Sequence, residues 1–325
     1  MKNILFYLLA VFLVSFFTSV ISIPILIRKL KGANIFGIDV HKQNKPQIPE
    51  MGGFSLIIST ISSLLFAIFL HTFFGFQFKL IEVLAAMLTF CIISLIGIFD
   101  DLFELRQSIK FFLPMIASLP LIALNAAQST SMFLPFIGNV DFGLFYIIFL
   151  IPLGVTVASN LTNTLAGFNG LESGLGIIIF STLLFFAIFQ NNIEMGLISS
   201  AMLGGLLVFF YFNKYPAKVF PGDVGNLAIG SALACAVIIG NFESLGALLV
   251  APHAIDILIK AFYKFPKTFG ELKDGKLYPP EGKVKGLAHL IMKLKNGISE
   301  QELVLSLFLF ELLFVLISIL LFLKI

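Results

Sequence analysis

Charged residues are scarce in this chain. Asp, Glu, Lys and Arg make up 12% of its 325 residues, about half the fraction that is usual in soluble proteins. By contrast, 58% of the residues are hydrophobic, and 39 of them are Phe. This composition is not that of a soluble domain, and the expected solvent of the chain is the lipid bilayer.

Cysteine is also scarce, and the net charge is small. The two cysteines, Cys91 and Cys235, fall inside apolar stretches, which excludes a disulfide framework and a thiolate metal site. A formal net charge of +3 is too small to indicate binding to nucleic acid. Membrane lipid is therefore an expected partner, and nucleic acid is not.

Apolar stretches recur along almost the whole chain. A helix needs about 20 apolar residues to cross a hydrocarbon core of ~30 Å. The sequence predicts an all-α, polytopic membrane protein in which residues 1–325 form one integral membrane domain. About ten transmembrane helices are predicted, at residues 4–27, 54–74, 80–99, 111–126, 142–160, 172–190, 194–212, 224–240, 242–262 and 302–323. The first lacks a cleavage site of small residues and is predicted to be retained.

The basic residues are distributed unequally between the two predicted sides of the membrane. Of the 21 lysines and arginines, all but Lys2, Lys79 and Lys324 fall on the side of the odd-numbered loops. The positive-inside rule assigns those loops to the cytosol and both termini to the outside. The predicted cytosolic loops lie at about residues 28–53, 100–110, 161–171, 213–223 and 263–301.

Polar side chains at helix ends collect on the same predicted side. Carboxylates and amides are costly near a bilayer, so their clustering at one face indicates a site at the cytosolic interface. Each of them alone is also compatible with an ordinary solvated loop residue. The residues are Glu50, Asp100, Asp101, Asn160, Asn163, Asn169, Glu172 and Asp223.

Asp100 and Asp101 end the third apolar stretch. Adjacent carboxylates repel each other, and a divalent cation or a cationic partner is the usual way to keep both ionised, so the pair favours a Mg²⁺ site over a structural role. Asp223 follows Gly222 just before the eighth stretch. This position is typical of a helix N-cap, and it also suits binding of a phosphate and its metal ion.

The loop after the fifth stretch is rich in asparagine. Asn160 and Asn163 are three residues apart, so their amides share one face if the fifth helix continues through them. Neutral donors and acceptors suit a nucleotide and sugar hydroxyls. In the first loop, Lys45 precedes Glu50. The lysine is either a determinant of topology or a residue that positions a phosphate-bearing substrate.

Together these segments resemble the polyprenyl-phosphate N-acetylhexosamine-1-phosphate transferase family. The motifs follow the family's order between about residues 37 and 230. Pro49-Glu50 with the following Gly52-Gly53, and the run Leu165–Glu172, are similar to the dolichyl and archaeal branch. The aspartate-rich segment and the histidine cluster of the bacterial phospho-MurNAc-pentapeptide translocase are absent from the sequence.

The resemblance implies roles for the catalytic and metal-binding residues. Asp223 would coordinate Mg²⁺ with the help of Asn163 or Asp101, and Mn²⁺ could substitute for Mg²⁺. Asp100 would lie closest to the lipid phosphate, and Lys110 matches a family lysine that contacts the phosphates. Asp100, Asp101, Lys110 and Asp223 are therefore the predicted catalytic residues.

The resemblance also implies a substrate site. Phe220 and Asn169 would hold uracil by stacking and hydrogen bonding, and Glu50 matches a family glutamate near the nucleotide sugar. Dolichyl-type members place arginines in the ninth loop, where Lys283 or Lys285 could substitute here as a point charge. The predicted substrate-binding residues are Lys45, Glu50, Asn160, Asn163, Asn169, Glu172, Phe220, Lys283 and Lys285.

The reaction implied is transfer of a sugar-1-phosphate, GlcNAc-1-phosphate by the branch resemblance, from a UDP-N-acetylhexosamine to a polyprenyl or dolichyl phosphate. UMP would be released and lipid-linked glycan assembly would begin, at the cytosolic face of the cell membrane. Asp100 is expected to orient or deprotonate the lipid phosphate, and a covalent aspartyl intermediate is the alternative. The sequence leaves open the exact sugar and polyprenol, and whether the chain forms a homodimer.

Two other classes of function were weighed against the transferase. A secondary transporter places its coupling residues near the midplane of the bilayer, often in two related halves. Asp256, in the ninth stretch, is the one acid in such a position, and the chain shows no internal repeat. A structural membrane scaffold would leave the clustering of polar residues unexplained.

Overall fold

The computed structural model describes residues 2–323, and most of them are helical. Long apolar runs form helices because a helix satisfies its backbone polar groups internally, as the bilayer requires. The helices are α1 (Lys2–Gly32), α2 (Phe54–Phe74), α3 (Leu80–Phe103), α4 (Gln107–Ala117), α5 (Leu119–Ala123), α6 (Ile151–Leu161), α7 (Leu171–Phe189), α8 (Ile193–Asn213), α9 (Gly222–Gly240), α10 (Glu243–Leu249), α11 (Ala251–Ala261), α12 (Leu287–Leu294) and α13 (Glu300–Phe322). A π-helical turn at Tyr146–Leu150 precedes α6. Lys324 lies outside the described residues.

Seven helices are long and apolar enough to cross a membrane, namely α1, α2, α3, α7, α8, α9 and α13. An eighth span forms if α10 and α11, which are bent by 62°, are counted together. The bend follows from Pro252, which lies in the first turn of α11 and cannot donate the backbone hydrogen bond that would continue α10.

The prediction of about ten spans is thus confirmed for seven or eight. The fourth and fifth predicted spans correspond to apolar helices at Ser108–Ala123 and Tyr146–Thr162. At 1.5 Å per residue these helices are about 24–26 Å long, which is short of a ~30 Å hydrocarbon core. The ten-span topology and the sidedness of the termini stay predictions.

The loops contain strands that the all-α prediction missed. Three antiparallel hairpins are present among the described residues. They are β1 (Phe36–Ile38) with β2 (Gln47–Pro49), β3 (Ser131–Leu134) with β4 (Gly138–Asp141), and β5 (Glu271–Lys273) with β6 (Lys276–Tyr278). Strands of three or four residues carry too little periodic signal to be recognised in a sequence. The fold is therefore mostly helical with a small β content.

Helix α9 lies at the centre of the bundle, and all but one of its residues are buried. It packs against α3, α6 and α8. Small residues allow this, because transmembrane helices approach most closely where glycine and alanine meet. At Gly97 of α3 an added Cβ would lie 2.7 Å from the Cα of Val224 in α9. The close approach holds the ends of α3 and α9 together.

Gly53 makes an even closer contact with α9. An added Cβ would overlap the backbone of Gly225, and Gly53 has an ordinary helical φ of −56°, so the obstacle is purely steric. We expect Gly53→Ala to destabilise the protein by about 1–3 kcal/mol through overpacking. The measurement is the Tm of the detergent-purified variant.

Gly32→Ala is the matched control, because no atom lies within 4 Å of the Cβ added there. Its Tm should stay within experimental error of the wild-type value. Equal Tm values for Gly53→Ala and the wild-type protein would contradict the close packing of the loop before α2 against α9.

Candidate active site

Asp101 joins the end of α3 to the start of α9. Its Oδ1 accepts a hydrogen bond from the backbone N–H of Asp223 (2.8 Å), and its Oδ2 accepts one from Val224 (2.9 Å). A carboxylate here satisfies free N–H groups of α9 and complements its dipole. The predicted N-cap role of Asp223 is wrong, because α9 begins at Gly222 and the carboxylate at its N-terminus is that of Asp101.

Lys110 of α4 links the other two carboxylates. Its Nζ lies 2.6 Å from Asp100 Oδ2 and 3.2 Å from Asp223 Oδ2. Asp100 is buried, and its Oδ1 accepts a hydrogen bond from the backbone N–H of Leu105 (3.0 Å). One lysine therefore pairs with carboxylates from two different helices, while Asp101 lies alongside them. The negative charges outnumber the positive charge.

Asn163 reaches the same group from the loop after α6. Its Nδ2 donates to Asp223 Oδ1 (3.0 Å), and its Oδ1 accepts from Asn226 Nδ2 (2.9 Å). The hydroxyl of Thr162 donates to the backbone carbonyl of Asn226 (2.8 Å), which fixes the loop against α9. Asp100, Asp101, Lys110, Asn163 and Asp223 are called the carboxylate cluster below.

The side-chain amides of Asn160 and Asn163 donate to different acceptors. Helix α6 ends at Leu161, so Asn163 lies in the turn beyond it. The Nδ2 of Asn160 donates to the carbonyl oxygens of Thr156 (2.9 Å) and Lys110 (3.4 Å). The condition for a shared amide face, a helix that continues through both asparagines, is therefore not met. Asn160 instead donates a hydrogen bond to the backbone carbonyl of Lys110.

The carboxylate cluster fits a Mg²⁺ ion by the chemistry of its donors. Carboxylate and amide oxygens are the ligands that this ion takes in proteins, and uncompensated negative charge favours a cation. Gly222 has φ +70°, and a Cβ there would lie 2.6 Å from Asp101 Oδ2. Glycine is thus required at the point where the segments meet.

Glu50 and Phe220 lie beside this cluster. The backbone N–H of Phe220 donates to the carbonyl of Pro49 (2.8 Å), which pairs the two segments. Burial raises the pKa of the Glu50 carboxyl above its ordinary value, Asp223 raises it further, and Lys267 lowers it. Lys267 of the ninth loop is thus close enough to Glu50 for its charge to act on that carboxyl.

Asn169 lies in a second polar cluster, formed with Asp39, His41, Lys42 and Glu300. Asn169 Nδ2 donates to Asp39 Oδ2 (2.9 Å), and its backbone N–H donates to Glu300 Oε1 (2.7 Å). Lys42 pairs with Asp39 (3.2 Å) and with Glu300. The Oδ1 of Asn169 is buried and has no hydrogen-bond partner among the described residues.

His41 is the aromatic member of the second polar cluster. Its ring stacks on Phe168 with centroids 4.7 Å apart, and its Nε2 accepts from the backbone N–H of Gly270 (3.2 Å). Burial is the main cause that lowers the pKa of His41 to about 4, so its ring is neutral at pH 7. Lys42 already compensates Asp39 and Glu300, which disfavours a second cation here.

The remaining predicted residues are not members of the carboxylate cluster. Glu172 Oε1 accepts from the backbone N–H of Gly167 (2.6 Å) and closes the turn that carries Asn169. Lys45 is exposed in the turn between β1 and β2. Lys283 is exposed and paired with Glu281 (2.6 Å), while Lys285 is half-buried.

Sequence reasoning missed several residues that the structure brings to the two clusters or beside them, among them Asn226, Asp39, Lys267 and Glu300. Asn226 is three residues after Asp223, so the helical spacing was a usable signal. Asp39, Lys267 and Glu300 had no such signal, because each belongs to a loop or helix end whose neighbours are distant in sequence. Their roles depend on tertiary packing.

Comparison with known proteins agrees with this geometry. The sequence model of the family described as Glycosyl transferase family 4 matches residues 83–241. A Saccharolobus solfataricus protein is 35% identical over an alignment of 319 positions, with 95% of each chain covered. It carries the provisional name UDP-N-acetylglucosamine–dolichyl-phosphate N-acetylglucosaminephosphotransferase.

Two further relatives are similar over most of the chain. A Dictyostelium discoideum protein named UDP-N-acetylglucosamine–dolichyl-phosphate N-acetylglucosaminephosphotransferase is 27% identical, with 86% of this chain and 79% of that protein covered. A phospho-N-acetylmuramoyl-pentapeptide-transferase of Halalkalibacterium halodurans is 32% identical, with 77% of this chain and 80% of that protein covered. The resemblance inferred from the motifs is thereby confirmed, and the chain belongs to glycosyl transferase family 4.

Proposed function

We propose that this chain transfers N-acetylglucosamine-1-phosphate from UDP-N-acetylglucosamine to a dolichyl or other polyprenyl phosphate and releases UMP. The observation that carries the proposal is the carboxylate cluster, in which Lys110 and Asn163 both hold Asp223. Relatives that are similar over most of the chain are named for this activity. The product, a lipid diphosphate sugar, would be the first intermediate of a lipid-linked glycan.

The reaction requires two anions to meet. An oxygen of the lipid phosphate attacks the β-phosphorus of the UDP-sugar and forms a new P–O bond. The bond from that phosphorus to the bridging oxygen breaks, and UMP leaves with that oxygen. Mg²⁺, when bound, offsets the charge of the diphosphate. Asp223 and Asn163 would hold the ion, and Asp101 would fix Asp223 through its backbone N–H.

Lys110 and Asp100 act on the lipid phosphate in this proposal. Lys110 supplies positive charge and positions the phosphate. Asp100 orients the phosphate or accepts its proton. Both oxygens of Asp100 already interact, one with Lys110 and one with the backbone N–H of Leu105. This arrangement supports an orienting role over a covalent aspartyl intermediate, for which an oxygen would have to leave these partners.

The nucleotide would lie between Phe220 and the second polar cluster. The Oδ1 of Asn169 is buried and has no hydrogen-bond partner within residues 2–323, so it can accept the N–H of uracil. Phe220 lies against the hairpin of β1 and β2, 3.0 Å from the position of a Cβ on Gly37. Asp39, two residues after Gly37, contacts Asn169. One hairpin therefore approaches both residues that we assign to uracil.

We place the site at the cytosolic face of the cell membrane. The proposal rests on the distribution of the 21 lysines and arginines and on the positive-inside rule. The carboxylates lie at the end of α3 and the start of α9, not at mid-helix. A chain with ten spans and both termini outside would fit this arrangement, with the two short apolar helices as the fourth and fifth spans.

The transporter alternative loses its main support. Asp256 pairs with Lys260 one turn later (2.6 Å), and its Oδ1 accepts from the backbone N–H of Leu287 (2.8 Å). Lys260 also donates to the carbonyl of Thr164 (2.5 Å). A carboxylate with these partners joins α11 to α12 and to the loop after α6, and it is not an unpaired coupling residue.

The direct test is UMP release by the detergent-purified protein. We expect release that requires UDP-N-acetylglucosamine, a polyprenyl phosphate and Mg²⁺ together, and that stops when EDTA is added. Omission of the lipid is the control for hydrolysis of the nucleotide sugar. An absence of turnover with every UDP-N-acetylhexosamine, from protein that elutes as a single folded species, would overturn the proposal.

A further inference from the structure

The side-chain amide of Asn169 has one favourable orientation. Its Nδ2 lies 2.9 Å from Asp39 Oδ2 and 3.3 Å from Glu300 Oε2. An ionised carboxylate can only accept hydrogen bonds, so the part of the amide that faces both carboxylates must be the NH₂ group and not the oxygen. A half-turn of the amide would bring its Oδ1 against two anions. The two carboxylates therefore fix the direction in which the amide points.

Both carboxylates are held in place and kept ionised. Lys42 Nζ pairs with Asp39 (3.2 Å) and with Glu300, and a neighbouring cation favours the ionised form of a carboxyl group. Asp39 Oδ1 accepts from the backbone N–H of His41 (3.2 Å), and Glu300 Oε1 accepts from the backbone N–H of Asn169 (2.7 Å). Each carboxylate thus has a backbone partner as well as the amide, and both are buried.

The other side of the Asn169 amide can only accept a hydrogen bond. Its NH₂ group has two hydrogens, and the two carboxylates use both of them. Its Oδ1 is buried and lacks a hydrogen-bond partner in the part of the chain that the structure describes. A buried oxygen without a partner is costly, and a ligand that supplies an N–H would remove that cost. The side chain thus presents an acceptor, and no donor, to a bound base.

We propose that Asp39 and Glu300 are positioning residues that hold Oδ1 of Asn169 toward the nucleotide and thereby select uracil over cytosine. The inference rests on the proposed function, in which Asn169 meets the base. Uracil carries a hydrogen on N3, whereas cytosine has a lone pair there. A cytosine in the same position would oppose this lone pair to Oδ1, and the two carboxylates prevent the amide from turning its NH₂ group toward the base. Both residues act through Asn169.

The test is binding of UDP and of CDP to the detergent-purified protein in Mg²⁺, measured by isothermal titration calorimetry. The two nucleotides differ only in the base, so the ratio of their dissociation constants cancels any effect on the diphosphate. We expect the wild-type protein to bind UDP about 10–100-fold more tightly than CDP, because cytosine leaves Oδ1 unpaired. The double variant Asp39→Asn with Glu300→Gln removes both charges at nearly constant size and lets the amide turn. Its preference for UDP should fall at least about fivefold, and its affinity for CDP should rise above the wild-type value, which damage to the fold would not produce.

Glu271→Gln is the matched control, because Glu271 is an exposed carboxylate that pairs with Lys273 (3.0 Å) and is not a member of the second polar cluster. It should keep both affinities. If the double variant does not elute as a single folded species, Asp39→Asn alone decides. It removes the shorter of the two contacts and should shift both quantities in the same directions.

An unchanged ratio in these variants, or equal losses of affinity for UDP and CDP, would overturn the inference. Equal binding of UDP and CDP by the wild-type protein would also overturn it and would leave the proposed transferase reaction intact. A wild-type protein that binds neither nucleotide would contradict the nucleotide site of the proposed function, and the inference with it.

Discussion

Asp223→Asn is expected to lower lipid-dependent UMP release by at least about a thousandfold. Loss of a single group that stabilises charge in a reacting site costs about 10²–10³ in rate, and Asp223 is also the predicted ligand of Mg²⁺. Asparagine keeps the size of the side chain but removes the charge that pairs with Lys110. The residual activity should also require more Mg²⁺, because a neutral amide binds the ion more weakly. Initial rates over a series of Mg²⁺ concentrations measure both effects.

Asp274→Asn is the matched control for Asp223→Asn. Asp274 is an exposed residue with φ +48° in the turn between β5 and β6, a conformation that asparagine adopts readily. This variant should keep the wild-type rate and the wild-type Mg²⁺ dependence. Asp223→Asn with more than a tenth of the wild-type rate and an unchanged Mg²⁺ requirement would contradict the assignment of the metal site.

The sequence was sufficient to predict the long helices. Helices α2, α7 and α13 begin and end within two residues of their predicted spans, because each is one uninterrupted apolar run. Helix α3 continues to Phe103, four residues beyond the predicted end. The apolar run ends before Asp100, but the helix continues to Phe103, because the carboxylates of its last turn are satisfied by Lys110 and α9. Tertiary partners therefore decided where this helix ends.

The shorter helices were predicted less well, and each of α4, α5 and α6 contains a proline. Pro114 lies inside α4, Pro120 at the start of α5, and Pro152 at the start of α6. Pro120 and Pro152 lie where one regular segment passes into the next, since proline cannot donate the hydrogen bond that would continue a helix, whereas α4 continues past Pro114 to Ala117. The hydropathy of these runs is that of a membrane span. Even when the segments on both sides of the prolines are counted together, the helices at Ser108–Ala123 and Tyr146–Thr162 are shorter than the 20 or so residues that a span requires.

The sequence predicted part of the site, but it did not predict the long-range contacts of Asp101 and Asn169. Sequence placed Asp100, Lys110, Asn163 and Asp223 in one site through motif and sidedness, and the structure brings these four into contact. It did not predict that Asp101 would accept the N–H groups of α9, because this contact joins residues more than 120 positions apart. The pairing of Asn169 with Glu300 has the same cause. Residue type indicates chemistry, but long-range packing decides which partner each group finds.

Lys110→Gln is expected to lower the rate of UMP release by about 10²–10³, with an effect on Mg²⁺ opposite to that of Asp223→Asn. Lys110 is the cation between Asp100 and Asp223, and it is assigned to the charge that develops during phosphoryl transfer. Its removal leaves the two carboxylates without a fixed partner. They then attract a divalent ion more strongly, because a like charge beside the metal site is gone.

The Mg²⁺ concentration for half-maximal activity should therefore fall in Lys110→Gln while the maximal rate collapses. Lys273→Gln, an exposed lysine paired with Glu271, is the control and should change neither quantity. A lysine that served only to hold α4 in place would lower Tm and leave the Mg²⁺ requirement unchanged. That result, or a maximal rate within tenfold of the wild-type value, would remove Lys110 from the reacting site. A fall in both quantities at an unchanged Tm would establish that Lys110 provides positive charge for catalysis and that the same charge weakens the binding of Mg²⁺.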